Sequence, residues 1–116
     1  MTLTELYASL SAFRFPCGTE LELQDAVAAA LDNCNVAYQR ELRLSPHDRI
    51  DFLAGGVGIE CKISDGPAKL LAQLVSYASD PRIEALLLVT SRSSHRGMPA
   101  TIHGKPVAVL WITGTF

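Results

Sequence analysis

Several features that would place a protein at a membrane or in the secretory pathway are missing from this sequence of 116 residues. No apolar run approaches the roughly 20 residues that a membrane-spanning helix needs. The first residues, MTLTELYASL, lack the basic segment and apolar core of a secretory signal. No internal repeat or low-complexity tract is present. We therefore expect a cytoplasmic protein without membrane contact.

Cysteine and positive charge are also scarce. The three cysteines, Cys17, Cys34 and Cys61, form no Cys-x₂-Cys pair, so we predict buried free thiols rather than a zinc site. The net charge is −2 and the pI about 5.8, whereas a nucleic-acid-binding surface is usually basic. Local arginines still allow a basic face, and the candidates are Arg40, Arg43, Arg49, Arg92 and Arg96.

Apolar residues are plentiful, at 48% of the chain, and predict a folded core. The length suits one domain and is short for two, so we assign residues 1–116 to a single domain with its core at about residues 19–113. Residues 1–16 form an N-terminal arm or a short helix, because apolar side chains there recur at helical spacing. This segment either covers the core or pairs with a second subunit.

The segment of residues 48–62, DRIDFLAGGVGIECK, organises the rest of the chain. Residues 49–53 alternate between polar and apolar side chains, which is typical of a half-buried strand. The Gly-Gly pair supplies a tight turn, and the chain returns as a second strand. Glu60 and Lys62 share one face of that strand, because side chains two apart point the same way. Asp51 comes level with Glu60 across the hairpin.

Two carboxylates side by side repel each other unless a cation lies between them. Lys62 supplies one positive charge, and a hard divalent ion would supply more. Mg²⁺ or Mn²⁺ prefers oxygen ligands, so the predicted ligands are Asp51, Glu60 and the main-chain carbonyl of Cys61. Such an ion activates water and polarises a phosphoryl oxygen, and Lys62 would orient the water or offset charge. The alternative is a charged solvent face on an ordinary hairpin.

Two helices and three further strands are predicted around this hairpin. Thr19 and Glu22 form a capping box at the start of the first helix, which ends at Asp32. The second helix spans residues 68–79. The further strands span residues 36–44, 84–90 and 105–113. The last strand is apolar on both faces, so it lies inside the sheet or meets a partner chain.

The strand–helix–strand order requires a right-handed crossover, so part of the sheet should be parallel. The predicted class is therefore α/β, with a mixed central sheet flanked by helices. Residues 91–100 form a polar, flexible loop, in which Arg92 and Arg96 are candidates for contact with nucleic acid.

Asp51, eight intervening residues and then Glu60-Cys61-Lys62 resemble the PD-(D/E)XK nuclease superfamily, whose hairpin carries a metal-dependent phosphodiesterase site. The resemblance extends over about residues 19–90, and Ile50 stands where the superfamily usually has proline. It implies a restriction-endonuclease-like core with Mg²⁺ or Mn²⁺ as the cofactor.

The resemblance also implies roles for the helices. Superfamily members often carry a Glu near the metal on the first helix, a role that we assign to Glu20, with Glu22 as the alternative. Either residue could instead stabilise the helix dipole. Gln73 and Tyr77 look like the Gln-x₃-Tyr motif of the RecB-like branch, in which Gln73 would assist catalysis and Tyr77 would contact DNA. The alternative is a surface amide and a half-buried phenol.

The implied function is a Mg²⁺- or Mn²⁺-dependent deoxyribonuclease that leaves a 5′ phosphate. Its catalytic residues would be Asp51, Glu60, Lys62 and Gln73, and its DNA contacts Tyr77, Arg49, Arg92 and Arg96. A core without a DNA-reading domain predicts cleavage of branched or single-stranded DNA rather than a long sequence. Small stand-alone phage or prophage nucleases and Holliday-junction resolvases act in this way, in a bacterial or phage-infected cell.

A homodimer is expected from the chain size and the apolar last strand. Two rival interpretations come from other classes of protein. One is a catalytically inactive module of the same fold that binds nucleic acid or protein. The other is a structural α/β subunit of a larger assembly, without metal or activity.

Overall fold

Six strands form a mixed sheet with helices on both faces, in the computed structural model of this protein, which describes residues 1–113. Residues 114–116 of the predicted domain lie outside the described residues. The α/β class is confirmed. The elements are α1 Leu3–Ser11, α2 Glu20–Asn33, β1 Gln39–Arg43, β2 Arg49–Ala54, β3 Val57–Lys62, α3 Pro67–Ala78, β4 Ala85–Thr90, a 3₁₀ turn at Ser93–Gly97, β5 Thr101–Ile102 and β6 Lys105–Trp111.

The strand order across the sheet is β1-β2-β3-β4-β6-β5. The strands β1, β2 and β3 run antiparallel to their neighbours as a meander. The pairs β3–β4 and β4–β6 are parallel, and the short β5 runs antiparallel to β6. The predicted mixture of antiparallel and parallel pairing is confirmed, and α3 supplies the crossover between β3 and β4. The carboxyl ends of β3, β4 and β6 therefore lie at one edge.

Two apolar clusters fill the space between the sheet and the helices. One cluster lies between the sheet and the helices α1 and α2, and it includes Leu6, Leu23 and Phe52. The other lies between the sheet and α3, and it includes Leu70 and Leu74. The longest helix in residues 1–113 is α2, with 14 residues, and no helix there has the length and apolar character to cross a membrane.

The N-terminal segment is a helix that covers the core. Thr2 and Glu5 form a complete capping box at the start of α1. Leu6 and Leu10 are buried against the sheet, where α1 contacts β4 and β6. Of the two roles that the sequence left open for this segment, the structure places it on its own core.

Three predictions made from the sequence need correction. The capping box of α2 is only half formed: Thr19 accepts the N–H of Glu22, but the Glu22 carboxylate accepts the Thr19 hydroxyl instead of its N–H. The strand predicted from residue 36 begins at Gln39, because Asn35 turns the chain with a left-handed φ of 57° and the N–H of Val36 still donates to the Leu31 carbonyl of α2 at 3.0 Å. The segment of residues 91–100 is not a simple flexible loop, since a 3₁₀ turn folds there around a buried His95.

Along β1 and β2, the regular alternation of side chains between the two faces of the sheet is interrupted at Glu41 and Asp51. Phe52 belongs to the cluster under α1 and α2, whereas Ile50 belongs to the cluster under α3. Regular alternation would place both on one face. Glu41, which the β1–β2 register places opposite Asp51, has a left-handed φ of 54°. The space above Gly58 receives Ile50, because a β-carbon on that glycine would lie 2.5 Å from Ile50 Cδ1.

The apolar residues of β6 are used within the chain. Val107 and Val109 pack against the α3 cluster, and Ala108 and Leu110 belong to the opposite cluster. The strand also lies between β4 and β5. The apolar faces of β6 therefore no longer argue for a homodimer, and the chain size alone remains as its basis.

Candidate active site

The main-chain ladder between β2 and β3 ends where the candidate site begins. The last paired residues are Phe52 and Ile59, and the same register places Asp51 opposite Glu60. Beyond that pair, the side-chain carboxylates of Asp51 and Glu60 take the place of main-chain hydrogen bonds between the strands. Glu60 Oε1 accepts the N–H of Asp51 at 3.3 Å, and Asp51 Oδ2 accepts the N–H of Cys61 at 2.8 Å. The two strands are therefore held together by side chains at the site.

Asp51 is also held from α2. The side chain of Gln24 donates from Nε2 to Asp51 Oδ1 at 3.2 Å, so both carboxylate oxygens accept a hydrogen bond. Sequence reasoning missed Gln24. The signal was its position four residues after Glu20, which places both side chains on one helical face.

Glu60 is almost wholly buried, with 2% of its surface exposed. Its Oε2 accepts a hydrogen bond from the Tyr77 hydroxyl at 3.3 Å and lies 3.4 Å from Lys62 Nζ. Asp51, Glu60 and Lys62, which the motif predicted as neighbours, are thus brought together. Asp51 meets α2, while Glu60 meets α3, so the site spans the edge of the sheet between both layers.

Burial and the adjacent charge of Asp51 raise the pKa of Glu60 to about 8. Burial also raises the pKa of Asp51, although the N–H of Cys61 opposes this shift. Burial lowers the pKa of Lys62, but the charges of Glu60 and Glu20 outweigh burial and leave that pKa raised. At neutral pH the site therefore holds a charged ammonium beside a carboxyl pair that retains a proton.

The gap between β2 and β3 presents oxygen atoms that suit a hard divalent cation. The N–H and C=O of one strand residue lie on the same side, so the carbonyl of Cys61 faces Asp51 together with its N–H. Two carboxylates, one carbonyl and several waters match the coordination of Mg²⁺. Residues 1–113 contain no group of three or more His, Cys, Asp or Glu side chains suited to a metal, so the carbonyl and waters would be required.

Of the two acidic residues proposed on the first helix, Glu20 lies at the site and Glu22 does not. Glu20 Oε1 accepts the N–H of Ile63 at 3.2 Å and the hydroxyl of Ser64 at 2.9 Å. These bonds fasten the start of α2 to the chain after β3. Glu22 lies exposed beside Thr19. Glu20 is thus the acidic side chain of α2 with access to a cation, and it also has a structural role.

Tyr77 does not present its ring to nucleic acid, because the side chain is fully buried, at 0% exposed. Its hydroxyl lies 3.0 Å from the Arg49 carbonyl and 3.3 Å from Glu60 Oε2. This burial corrects the predicted DNA contact: Tyr77 holds Glu60. Gln73 lies one helical turn before Tyr77 on the same face and is half-buried. Within residues 1–113 its amide makes no hydrogen bond, so it remains free to bind a water or a phosphate.

A buried histidine fixes the loop after β3. His95 is 0% exposed, its Nδ1 lies 2.7 Å from Thr90 Oγ1, and its Nε2 lies 2.9 Å from the carbonyl of Asp65. A carbonyl only accepts, so Nε2 carries the hydrogen. The Asp65 carboxylate lies 3.7 Å from Lys62 Nζ, which gives Lys62 a second acidic neighbour besides Glu60. Sequence reasoning did not find this support, because His95 lies in a polar segment without periodicity.

The three arginines predicted to contact DNA are all exposed. Arg49 lies on β2, two residues before Asp51. Arg92 and Arg96 follow the carboxyl end of β4, and the guanidinium carbon of Arg96 lies 4.5 Å from the centre of the Trp111 ring. Positive charge is thus available at the surface on two sides of the site.

No family model, curated protein or solved structure gives a significant match to the chain. The candidate site therefore stands on the contacts, burial and charges of its own residues.

The raised pKa of Glu60 predicts how stability depends on pH without a bound cation. Between about pH 5 and pH 8 the folded protein keeps a proton that the unfolded chain has released, so stability must fall as the pH rises. We expect a loss on the order of a few kcal/mol across this window, measured by urea unfolding in EDTA.

Glu60→Gln should remove most of this slope, because an amide does not titrate there. Glu22→Gln, which changes an exposed acidic residue on α2, should retain the slope. A wild-type protein whose stability is flat or rises across the window would contradict the described environment of Glu60.

The burial of Tyr77 predicts that Tyr77→Phe lowers stability and leaves nucleic-acid affinity unchanged. Loss of the hydroxyl removes the hydrogen bonds to Glu60 Oε2 and the Arg49 carbonyl, which costs about 1–3 kcal/mol. Tyr7→Phe, which alters an exposed phenol on α1, serves as the control and should be nearly neutral. Urea unfolding and oligonucleotide binding in EDTA measure the two effects. Weaker binding at wild-type stability would restore the predicted DNA contact.

Proposed function

We propose that this protein is a Mg²⁺- or Mn²⁺-dependent nuclease of the PD-(D/E)XK type that hydrolyses phosphodiester bonds in DNA. The observation that carries the proposal is the meeting of Asp51 and Glu60 at the gap between β2 and β3, with Lys62 Nζ 3.4 Å from Glu60. The buried Glu60 and the partly buried Asp51, both with raised pKa values, form a site that would release its proton to a divalent cation.

The architecture supports a restriction-endonuclease-like core. The helix α2 directly precedes an antiparallel meander of three strands, and α3 crosses to the parallel strand β4. The meander carries Asp51 and the Glu60-Cys61-Lys62 triplet at adjacent positions. The two helices reach the site through Glu20 and Gln24 on one side and Tyr77 on the other.

In the proposed site Asp51, Glu60 and the Cys61 carbonyl hold the cation, with Glu20 beside them. A bound divalent cation supplies a Lewis acid for a phosphoryl oxygen and lowers the pKa of water. Lys62 has a raised pKa and two acidic neighbours, so it remains charged and stabilises negative charge rather than removing a proton. Gln73, whose amide has no partner in residues 1–113, orients the water or a phosphate oxygen.

In the proposed reaction a water oxygen attacks phosphorus in line with the 3′ oxygen. The bond from phosphorus to oxygen that forms replaces the bond to the 3′ oxygen, which leaves with a proton as a 3′ hydroxyl. The product strand keeps a 5′ phosphate. This polarity rests on the resemblance to the superfamily.

Cleavage assays test the proposal directly. Labelled linear, circular, single-stranded and four-way-junction DNA are incubated with Mg²⁺, Mn²⁺ or EDTA. We expect metal-dependent cutting that falls at least about 100-fold in Asp51→Asn and Lys62→Ala, which remove a ligand and a stabilising charge. Glu22→Gln should cut at the wild-type rate.

The same assays separate the rival interpretations. Absence of cutting on every substrate, together with absence of Mn²⁺ binding by calorimetry, would overturn the nuclease proposal and leave an inactive binding module or a structural subunit. Mn²⁺ binding that is lost in Asp51→Asn, without cutting, would support the cation site and reject these substrates.

We also propose a homodimer, on the basis of chain size, because two sites would let a small nuclease cut both strands of a branched substrate. Sedimentation at micromolar concentration should then give twice the mass of one chain. A monomer there would reject the dimer and leave the cleavage proposal intact.

A further inference from the structure

A row of residues runs from the candidate site across the sheet to an exposed tryptophan. Lys62 on β3 pairs with Thr90 on β4, and Thr90 pairs with Trp111 on β6. All three lie on the α3 side of the sheet, because their strand neighbours two residues earlier meet α3 or its cluster. Two strand spacings separate Lys62 from Trp111, so their Cα atoms lie about 10 Å apart.

Trp111 is held in place although it is not buried. It is the single tryptophan of the chain, and it is 39% exposed. Its indole N–H donates to the Ser91 carbonyl at 3.3 Å, and the Arg96 guanidinium carbon lies 4.5 Å from the ring centre. A large, oriented aromatic ring at the surface loses little side-chain entropy when a flat ligand stacks on it.

The charges around Trp111 suit a polyanion. Arg92 and Arg96 are both exposed next to it, in a chain whose net charge is −2. The acidic residues of the site itself are instead buried or bonded, as Glu60 and Asp51 are. An aromatic ring and two guanidinium groups thus lie at the edge formed by the carboxyl ends of the parallel strands, within reach of Lys62.

We propose that Trp111 and Arg96 form a stacking platform for an unpaired base of the nucleic-acid strand, with Arg92 on its phosphate. The inference deepens the proposed function, on which it rests, by naming a single-stranded segment as the substrate beside the cut. A base inside a duplex has both faces stacked and cannot lie on the indole, whereas every unpaired base offers a face. About three nucleotides at the ~3.4 Å rise of a stacked strand cover the distance from Lys62 to Trp111.

Fluorescence of the single tryptophan reports the contact without cleavage. In EDTA, titration with an oligothymidylate of about twelve nucleotides should quench the emission of wild-type protein to saturation. The blunt duplex made from thymidylate and adenylate strands of the same length should quench little. Equal quenching by strand and duplex, or none by either, would overturn the platform.

The fluorescence anisotropy of the fluorescein-labelled oligothymidylate measures the affinity of each variant, including those without tryptophan. Trp111→Ala should bind about 5- to 150-fold more weakly, the loss that one stacked base produces, while Trp111→Phe should retain most of the affinity. Tyr7→Ala removes an equally exposed aromatic ring, at 38%, on the opposite layer and should bind as the wild type does.

The salt dependence of binding distinguishes the stacking contact of Trp111 from the phosphate contact of Arg92. Arg92→Ala should lower the slope of log Kd against log salt by about 0.7, the value for one phosphate contact on a single strand, whereas Trp111→Ala should leave the slope unchanged. Wild-type affinity in Trp111→Ala, or a Trp111-dependent self-association in sedimentation, would overturn the proposal and assign this face to another occupant.

Cleavage measured on the same proteins with Mn²⁺ keeps the two proposals distinct. Cutting by wild type and by Trp111→Ala alike, with equal binding, would reject the platform and retain the nuclease. Binding that depends on Trp111, without cutting and without Mn²⁺ binding by wild type, would reject the nuclease and retain a single-strand-binding face. Circular dichroism of each variant confirms that a loss of binding is not a loss of fold.

Discussion

The replacement of main-chain pairing by carboxylates at Asp51 and Glu60 is the interaction on which the site depends. An antiparallel ladder satisfies N–H and C=O groups together. Here side chains satisfy the N–H groups of Asp51 and Cys61, so the carbonyl of Cys61 is left facing the gap. The same exchange removes two carboxyl groups from water, so burial raises the pKa of both, and the charge of Asp51 raises the pKa of Glu60 further. The separation of β2 and β3 at this point therefore creates a site suited to a cation.

Burying these charges is costly, and the surrounding layers offset the cost through long-range contacts. From α2, Gln24 bonds Asp51 and Glu20 anchors the chain after β3. From α3, Tyr77 bonds Glu60. The loop after β3 is held by His95. A site supported from three directions keeps its carboxyl groups in place against their repulsion, which is the preorganisation that transition-state stabilisation requires.

Local strain accompanies this arrangement. Glu41 has a left-handed φ opposite Asp51, a conformation that costs a non-glycine residue about 1–3 kcal/mol. The compensation lies in the core, because the change of faces lets Ile50 fill the space above Gly58 while Phe52 fills the opposite cluster. Packing on both faces of the sheet therefore maintains the geometry at Asp51.

The sequence by itself determined the elements and the local neighbours. Periodicity placed the helices and the hairpin, and a spacing across a two-residue turn was enough to bring Asp51 level with Glu60. Such features depend on residues close in the chain, whose relative positions the local geometry sets. Only the tertiary structure decided that Tyr77 is buried, that Gln24 and His95 support the site, and that Trp111 lies in line with Lys62. The contacts join residues up to 30 positions apart, and Lys62 and Trp111 are 49 positions apart in the chain. No local propensity encodes which layer a side chain meets once strands twist and helices pack.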